Sequence, residues 1–187
     1  TEFWAEIGRR YNQPSPTFAF DIKGSTLKEI LERYFKDDVT RRQVKNDIHS
    51  FEDNMKYRIF DGVIEFLTTL RQSGFKTAIV TSSDNAKMDF LWQQQPKLAD
   101  YFDVIINGSM VENSKPHPEG YLKAAKECGC DIKDCYVFED SFQGLEAGRR
   151  SGAKVIALST TNSADKLFGK ADEIIPSFKG FTVADLP

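Results

Sequence analysis

The chain has 187 residues, 40% of them hydrophobic and 28% charged, with a net charge of −3. That length suits one ordinary globular domain, or a core with a small appended module. There is no basic surplus to favour nucleic acid or an anionic membrane surface as partner, no apolar run near the roughly 18 residues of a membrane span, and no visible signal peptide.

The first part, residues 1–57, reads as helical. Phe3, Trp4, Ile7 and Tyr11 fall at helical spacing. Residues 12–16, with two prolines, break that stripe. Leu27, Ile30, Leu31, Tyr34 and Phe35 form a second stripe, with Ser25 and Thr26 placed to cap it. A third, more charged helix is expected over 38–57, with Val39, Val44, Ile48, Phe51 and Met55 as its apolar positions. No strand is expected here. Thr1 stands where an initiator Met would, and both Met removal and an upstream segment are compatible with that.

From residue 58 the texture changes. Short β-branched runs predict strands at 75–81, 103–106, 135–138, 154–158 and 173–175. Amphipathic patterns between them predict helices over 63–72, 86–94, 117–127 and 141–151. Gly74, Gly129 and Gly152 stand where those helices should stop. Apolar strands alternating with helices mean an α/β fold, a parallel sheet covered on both faces. Cys128, Cys130 and Cys135 are an odd, clustered set, and His49 and His117 do not complete a zinc pattern with them. Free thiols in a reducing compartment are expected, hence a cytoplasmic chain.

In an open parallel sheet, ligands bind outside the carboxyl ends of the strands, so the residues after each strand carry the chemistry. Thr81, Ser82 and Ser83 follow the first strand and open a helix. They can offer donors to a phosphate, and equally they can cap the helix. Lys115 follows the second strand in a polar loop, where it can pair with a phosphate or with neighbouring carboxylates; a solvated surface lysine is the plain alternative. Glu139 and Asp140 follow the third. Two adjacent carboxylates after a buried strand repel one another unless a cation lies between them, and such oxygen ligands suit Mg²⁺. An acidic helix start is the competing explanation. Hydroxyl, lysine and paired carboxylates on successive strand ends make the inventory of a Mg²⁺-dependent phosphoryl-transfer site.

The stretches GFKTAIVTSSDN, SKPHPEGYLKAAKECG and VFEDSFQGLEAGRRSGA resemble the second, third and fourth motifs of the haloacid dehalogenase superfamily, in its β-phosphoglucomutase-like branch. The resemblance covers residues 58 to about 175 and implies a Rossmann-like core, residues 58–187, with residues 1–57 as a small helical cap. It implies Thr81 as the phosphate-binding hydroxyl, with Ser82, Ser83 and Asn85 lining the phosphate side. Lys115 would stabilise the transferring group, and Asp140 would hold Mg²⁺ with Glu139 as ligand or close neighbour. DIKGSTLKEIL resembles the branch's substrate-facing stretch, which makes Lys23, Gly24 and Ser25 candidates for specificity contacts.

One departure is large. Family members open on a buried strand ending in DxDG, which carries the nucleophilic and the acid/base Asp, and no such motif stands in this sequence. IFDGVI (59–64) is not that motif displaced. Ile59 occupies the place of the first Asp, and Lys56 and Arg58 do not suit a strand buried on both faces. Asp61 is expected to cap the following helix, with Gly62 at its first position. Without the family's central strand, two strand edges would face an empty slot. The expectation is therefore a piece of a longer chain, or a strand supplied from elsewhere. The parent protein is expected to be a Mg²⁺-dependent phosphatase on a small phosphorylated metabolite, with a sugar phosphomutase or a non-catalytic phosphate-binding module as alternatives. These 187 residues alone are expected to be inactive.

Overall fold

The computed structural model describes residues 2–13, 15–52 and 55–187. Four helices come first: α1 (Glu2–Arg10), α2 (Phe18–Asp21), α3 (Leu27–Tyr34) and α4 (Asp38–Glu52). The predicted stripes meet. Ile7, Ile30, Phe35, Val44 and Ile48 are buried together with Phe18 and Ile22. Phe18 is the hub, edge-on to Trp4, Tyr34 and Phe35. It comes from α2, a single turn too short to show any periodicity.

Thr26 caps α3 as expected. Its hydroxyl accepts from Glu29 N at 3.4 Å, and the Glu29 carboxylate accepts from Thr26 N at 2.9 Å, a reciprocal capping box. The third helix is shorter than the predicted 38–57. It ends at Glu52, and Met55 to Phe60 run without helix or strand. Pro14 in the predicted break, Thr1, and Asp53 and Asn54 beyond α4, lie outside the described residues.

The α/β part follows in the order α5 (Val63–Gln72), β1 (Ala78–Val80), α6 (Asn85–Gln94), β2 (Val104–Ile106), α7 (Glu119–Cys128), β3 (Tyr136–Glu139), α8 (Phe142–Ser151), β4 (Lys154–Leu158), α9 (Ala164–Leu167) and β5 (Glu173–Ile175). All its pairings are parallel. β1 pairs with β2, and β3 with β4 and β4 with β5. The first strand is shorter than predicted because Thr77 bonds sideways, from its hydroxyl to the Tyr101 carbonyl and from its N–H to the Asp103 carboxylate.

Asp61 does not cap α5. The capping position is Gly62, at φ +87° and with no side-chain cap bond. A Cβ on Gly62 would run into the backbone of Phe178, so the turn from the helical part into the α/β part is set by close backbone approach and a left-handed residue rather than by a side-chain cap.

The described strands form two sheets, β1–β2 and β3–β4–β5. Helix α7 packs against β1, β2 and α8 and so ties the two together. Val137, Leu145, Ala147, Val155, Ala157 and Leu167 make the core of one half, Val104, Ile106 and Ala124 that of the other. Between the halves lies a cavity of about 340 Å³. Ala78 and Val80 of β1 line one wall, Tyr136, Val137 and Phe138 of β3 the other, and Phe66 and Leu70 of α5 lie below. This slot separates the facing edges of β1 and β3.

Candidate active site

The residues at and after the carboxyl ends of β1, β2 and β3 include Thr81, Lys115, Glu139 and Asp140. Thr81 directly follows β1. Its N–H extends the pairing to the Ile106 carbonyl at 2.9 Å, and its hydroxyl accepts from Ser83 N at 3.1 Å. Thr81, Ser82 and Lys115 line one small cavity of about 20 Å³ with Thr26 of the helical part.

Lys115 is the hinge of the arrangement. Its side chain is 11% exposed, and its ammonium forms an ion pair with Glu139, whose side chain is 10% exposed. The same ammonium donates to the Val80 carbonyl at 3.1 Å and stands 4.9 Å from the Tyr121 ring centroid. One cation therefore joins the end of β1 to the end of β3 across the slot.

Glu139 is saturated with donors. Tyr121 Oη donates to it at 2.7 Å, Ser141 Oγ at 3.0 Å, and the N–H groups of Asp140 and Ser141 at 3.2 and 3.3 Å. Burial works to raise its pKa, but the Lys115 charge and these hydrogen bonds outweigh it and hold the carboxyl below its usual range. Burial, then the Glu139 charge, pushes the Tyr121 phenol well up, so it stays a donor. A Cβ on Gly144 would run into the Glu139 carboxylate. The glycine at the third position of α8 is what lets that carboxylate fold back over the helix start.

Asp140 points elsewhere. With Glu139, Phe60, Leu158, Thr160 and Ser177 it lines a second cavity of about 280 Å³. Thr161 Oγ1 donates to its Oδ2, and Asn162 Nδ2 donates to its backbone carbonyl at 2.9 Å. Its Oδ1 takes no hydrogen bond among the described residues. One open carboxylate oxygen at a cavity that Phe138 and Phe178 also line fits Mg²⁺, which takes one or two carboxylates with phosphate oxygens and water. Among the described residues no group of three His, Cys, Asp or Glu side chains is placed to hold a metal, so Asp140 would supply part of a ligand set. Glu139, expected as ligand or close neighbour, turns its carboxylate to Lys115.

The other expected contacts are distributed. Ser82 Oγ donates to the Gly24 carbonyl at 2.5 Å, and Ser25 Oγ donates to Gln143 at 3.2 Å, so the 23–25 stretch lies against the strand-end loops. Ser83 contributes its carbonyl to Gly108 N at 2.7 Å. Asn85 Oδ1 is taken by the amide of buried Asn107 at 2.7 Å. Lys23 Nζ lies 5.4 Å from the Phe20 ring centroid, on its own part of the chain. Sequence reasoning missed Tyr121, Ser114, Glu29, Gln143, Thr161 and Asn162. A tyrosine in an apolar helix stripe reads as core, and the others gain meaning only from partners distant in sequence. Ser114 Oγ donates to Glu29 across 85 positions. Burial works to raise the Glu29 pKa, but hydrogen bonds from Ser114 and Thr26 hold it below the usual range.

A model of the family described as "Haloacid dehalogenase-like hydrolase" matches residues 5–158. The bifunctional riboflavin kinase/FMN phosphatase of Arabidopsis thaliana is 32% identical over 122 residues, 65% of this chain and 32% of that protein. Protein CbbY of Rhodobacter capsulatus is 30% identical over 131 residues, 69% of this chain and 58% of that protein. The chain thus spans about a third to three fifths of the length of these relatives. Among solved structures, CbbY of Rhodobacter sphaeroides in complex with phosphate superposes with a TM-score of 0.74 at 19% identity, covering 98% of this chain and 89% of that one.

Proposed function

The chain belongs to the haloacid dehalogenase-like hydrolases, and on that premise we propose that it forms most of a Mg²⁺-dependent phosphatase for a small phosphorylated metabolite. The observation that carries this reading is the buried Lys115–Glu139 pair, which spans the slot between Thr81 and Asp140. A relative with a phosphatase activity in its name, the bifunctional riboflavin kinase/FMN phosphatase of Arabidopsis thaliana, supports the reaction class.

In this reading the Thr81 hydroxyl and nearby N–H groups hold the phosphate oxygens. Lys115, held in place by Glu139 and Tyr121, faces the negative charge that spreads over the transferring group. Asp140 contributes a carboxylate oxygen to Mg²⁺, which when bound neutralises phosphate charge. Thr161 and Asn162 fix the direction in which Asp140 points. The attacking carboxylate comes from an apolar strand outside the 187 residues that fills the slot between β1 and β3. Its oxygen bonds to phosphorus as the ester P–O bond breaks, and a second carboxyl on that strand gives its proton to the leaving oxygen. Water then cleaves the acyl phosphate. Two parallel edges facing one apolar slot support the strand assignment. Without that strand these residues turn nothing over.

Lys23, Gly24 and Ser25 are the proposed specificity stretch, on a cap formed by residues 1–57. The three free thiols suit a reducing, cytoplasmic setting. Neither nucleic acid nor a membrane enters this reading, and no described helix is long and apolar enough to cross one.

The test is product analysis. The parent protein, with Mg²⁺, is incubated with a panel holding a sugar 1-phosphate, a sugar bisphosphate and FMN. Free phosphate without an isomerised sugar is expected from at least one of them. Isomerised sugar phosphate without net phosphate release would replace the phosphatase by a mutase. Binding without any turnover would make the protein a phosphate-binding module.

A further inference from the structure

The buried members of the apolar cluster of the first four helices run from Ile7 to Ile48. Within the stretch 21–29, Ile22 and Leu27 join that cluster, while polar groups reach the strand-end loops. Ser82 Oγ donates to the Gly24 carbonyl at 2.5 Å, and Ser114 Oγ donates to the Glu29 carboxylate. Those contacts reach the loops after β1 and β2. Beyond β3 the contact is made by Gln143, the second residue of α8. Its Nε2 donates to the Asp21 carbonyl at 2.9 Å, and its Oε1 accepts from Ser25 Oγ at 3.2 Å.

Both ends of the Gln143 amide are therefore satisfied across more than a hundred positions of sequence. The backbone has shaped itself around this residue. Gly24 sits at φ +90°, and a Cβ added there would lie 2.8 Å from Gln143 Cβ. A solvated glutamine at a helix start would need none of this. A primary amide is the side chain that can donate to a carbonyl and accept from a hydroxyl at once. Gln143 is also three residues from Asp140, on the helix that Ser141 caps with a 3.0 Å bond to Gly144 N. Anything that pulls on it is felt at the carboxylate loop.

We propose that Gln143 is a positioning residue that latches the 21–25 loop of the cap onto the Asp140 loop, so that substrate is enclosed only when the latch is made. The proposal rests on the phosphatase reading for the word substrate, and on the hydrogen bonds alone for the latch. Hydrogen bonds of this sort are individually weak, which suits a contact that opens and closes.

The experiment uses the full protein and its Gln143→Ala and Gln143→Glu variants. Gln143→Glu keeps the acceptor for Ser25 but sets a carboxylate against the Asp21 carbonyl. Amide hydrogen exchange is read without substrate. Exchange over 21–25 is expected to quicken by about tenfold in both variants, with β3 and β4 unchanged. Unchanged exchange over 21–25 overturns the latch. Equal acceleration throughout the chain assigns Gln143 a general stabilising role and also overturns it. Since exchange needs no turnover, this result stands apart from any failure of the phosphatase reading. Where a phosphomonoester is hydrolysed, KM is expected to rise more than kcat falls. A fall in kcat alone would overturn the enclosing role.

Discussion

Gly144→Ala is expected to disable the site while leaving α8 helical. Alanine is the better helix former by about 0.5–1 kcal/mol, so intrinsic propensity predicts stabilisation. The structure predicts the reverse. The new Cβ would occupy the space of the Glu139 carboxylate, which is 10% exposed and holds five donors. Either Glu139 turns away, which leaves Lys115 buried without its partner, or α8 shifts, which moves Asp140. Overpacking of this kind costs about 1–3 kcal/mol. Gly148→Ala is the control within the same helix. Its Cβ would meet Val155 Cγ2 at 3.0 Å and Val137 Cγ1 at 3.1 Å, an apolar contact away from the charged pair. Denaturant midpoints and phosphate release, measured on both variants of the parent protein, separate the effects. Gly144→Ala should lose activity out of proportion to its stability, and Gly148→Ala should not.

Cutting the Lys115–Glu139 pair from either side is expected to cost more than removing it whole. Lys115→Met leaves a buried carboxylate with only Tyr121, Ser141 and two N–H groups to hold it. Glu139→Gln leaves a buried ammonium facing the Val80 carbonyl and the Tyr121 ring. Each break of a buried pair costs about 3–5 kcal/mol. The double variant should recover much of that loss, because replacing both charges removes the uncompensated one. A double-mutant cycle by chemical denaturation measures the coupling. Placed in the parent protein, all three variants should lack turnover. A double variant as unstable as the sum of the singles would show that the two groups do not act as a pair.

Much of the α/β scaffold was legible because apolar runs and their stops coincide. The strands at 154–158 and 173–175 and the helix at 63–72 have the bounds that their patterns predict, and Gly129 and Gly152 end their helices in the left-handed conformation. Propensity misled where tertiary contacts decide. Thr77 reads as strand but bonds to Tyr101 and Asp103. Asp61 reads as a cap, yet Gly62 takes that place because the Phe178 backbone lies against it. Thr81, Lys115, Glu139 and Asp140 could be singled out as candidates because each lies at or beyond a strand end; the structure sets Thr81 with Lys115 and pairs Lys115 with Glu139, while Asp140 lines a separate cavity. Tyr121, Gln143, Thr161 and Asn162 could not. Tyr121 looks like any buried aromatic until its hydroxyl is seen on Glu139, and Gln143 looks like any surface glutamine until Asp21 and Ser25 are laid against it.

On the proposed reading, Asp140 and its neighbours serve phosphate-ester hydrolysis. The most direct measurement is steady-state phosphate release by the parent protein in Mg²⁺, wild type against Asp140→Asn, with Mg²⁺ affinity read on the same samples. Asp140→Asn is expected to lower turnover at least about a hundredfold and to weaken Mg²⁺ binding, since loss of even an outer-shell partner costs some 10–100-fold. Turnover and Mg²⁺ affinity equal to wild type would contradict it.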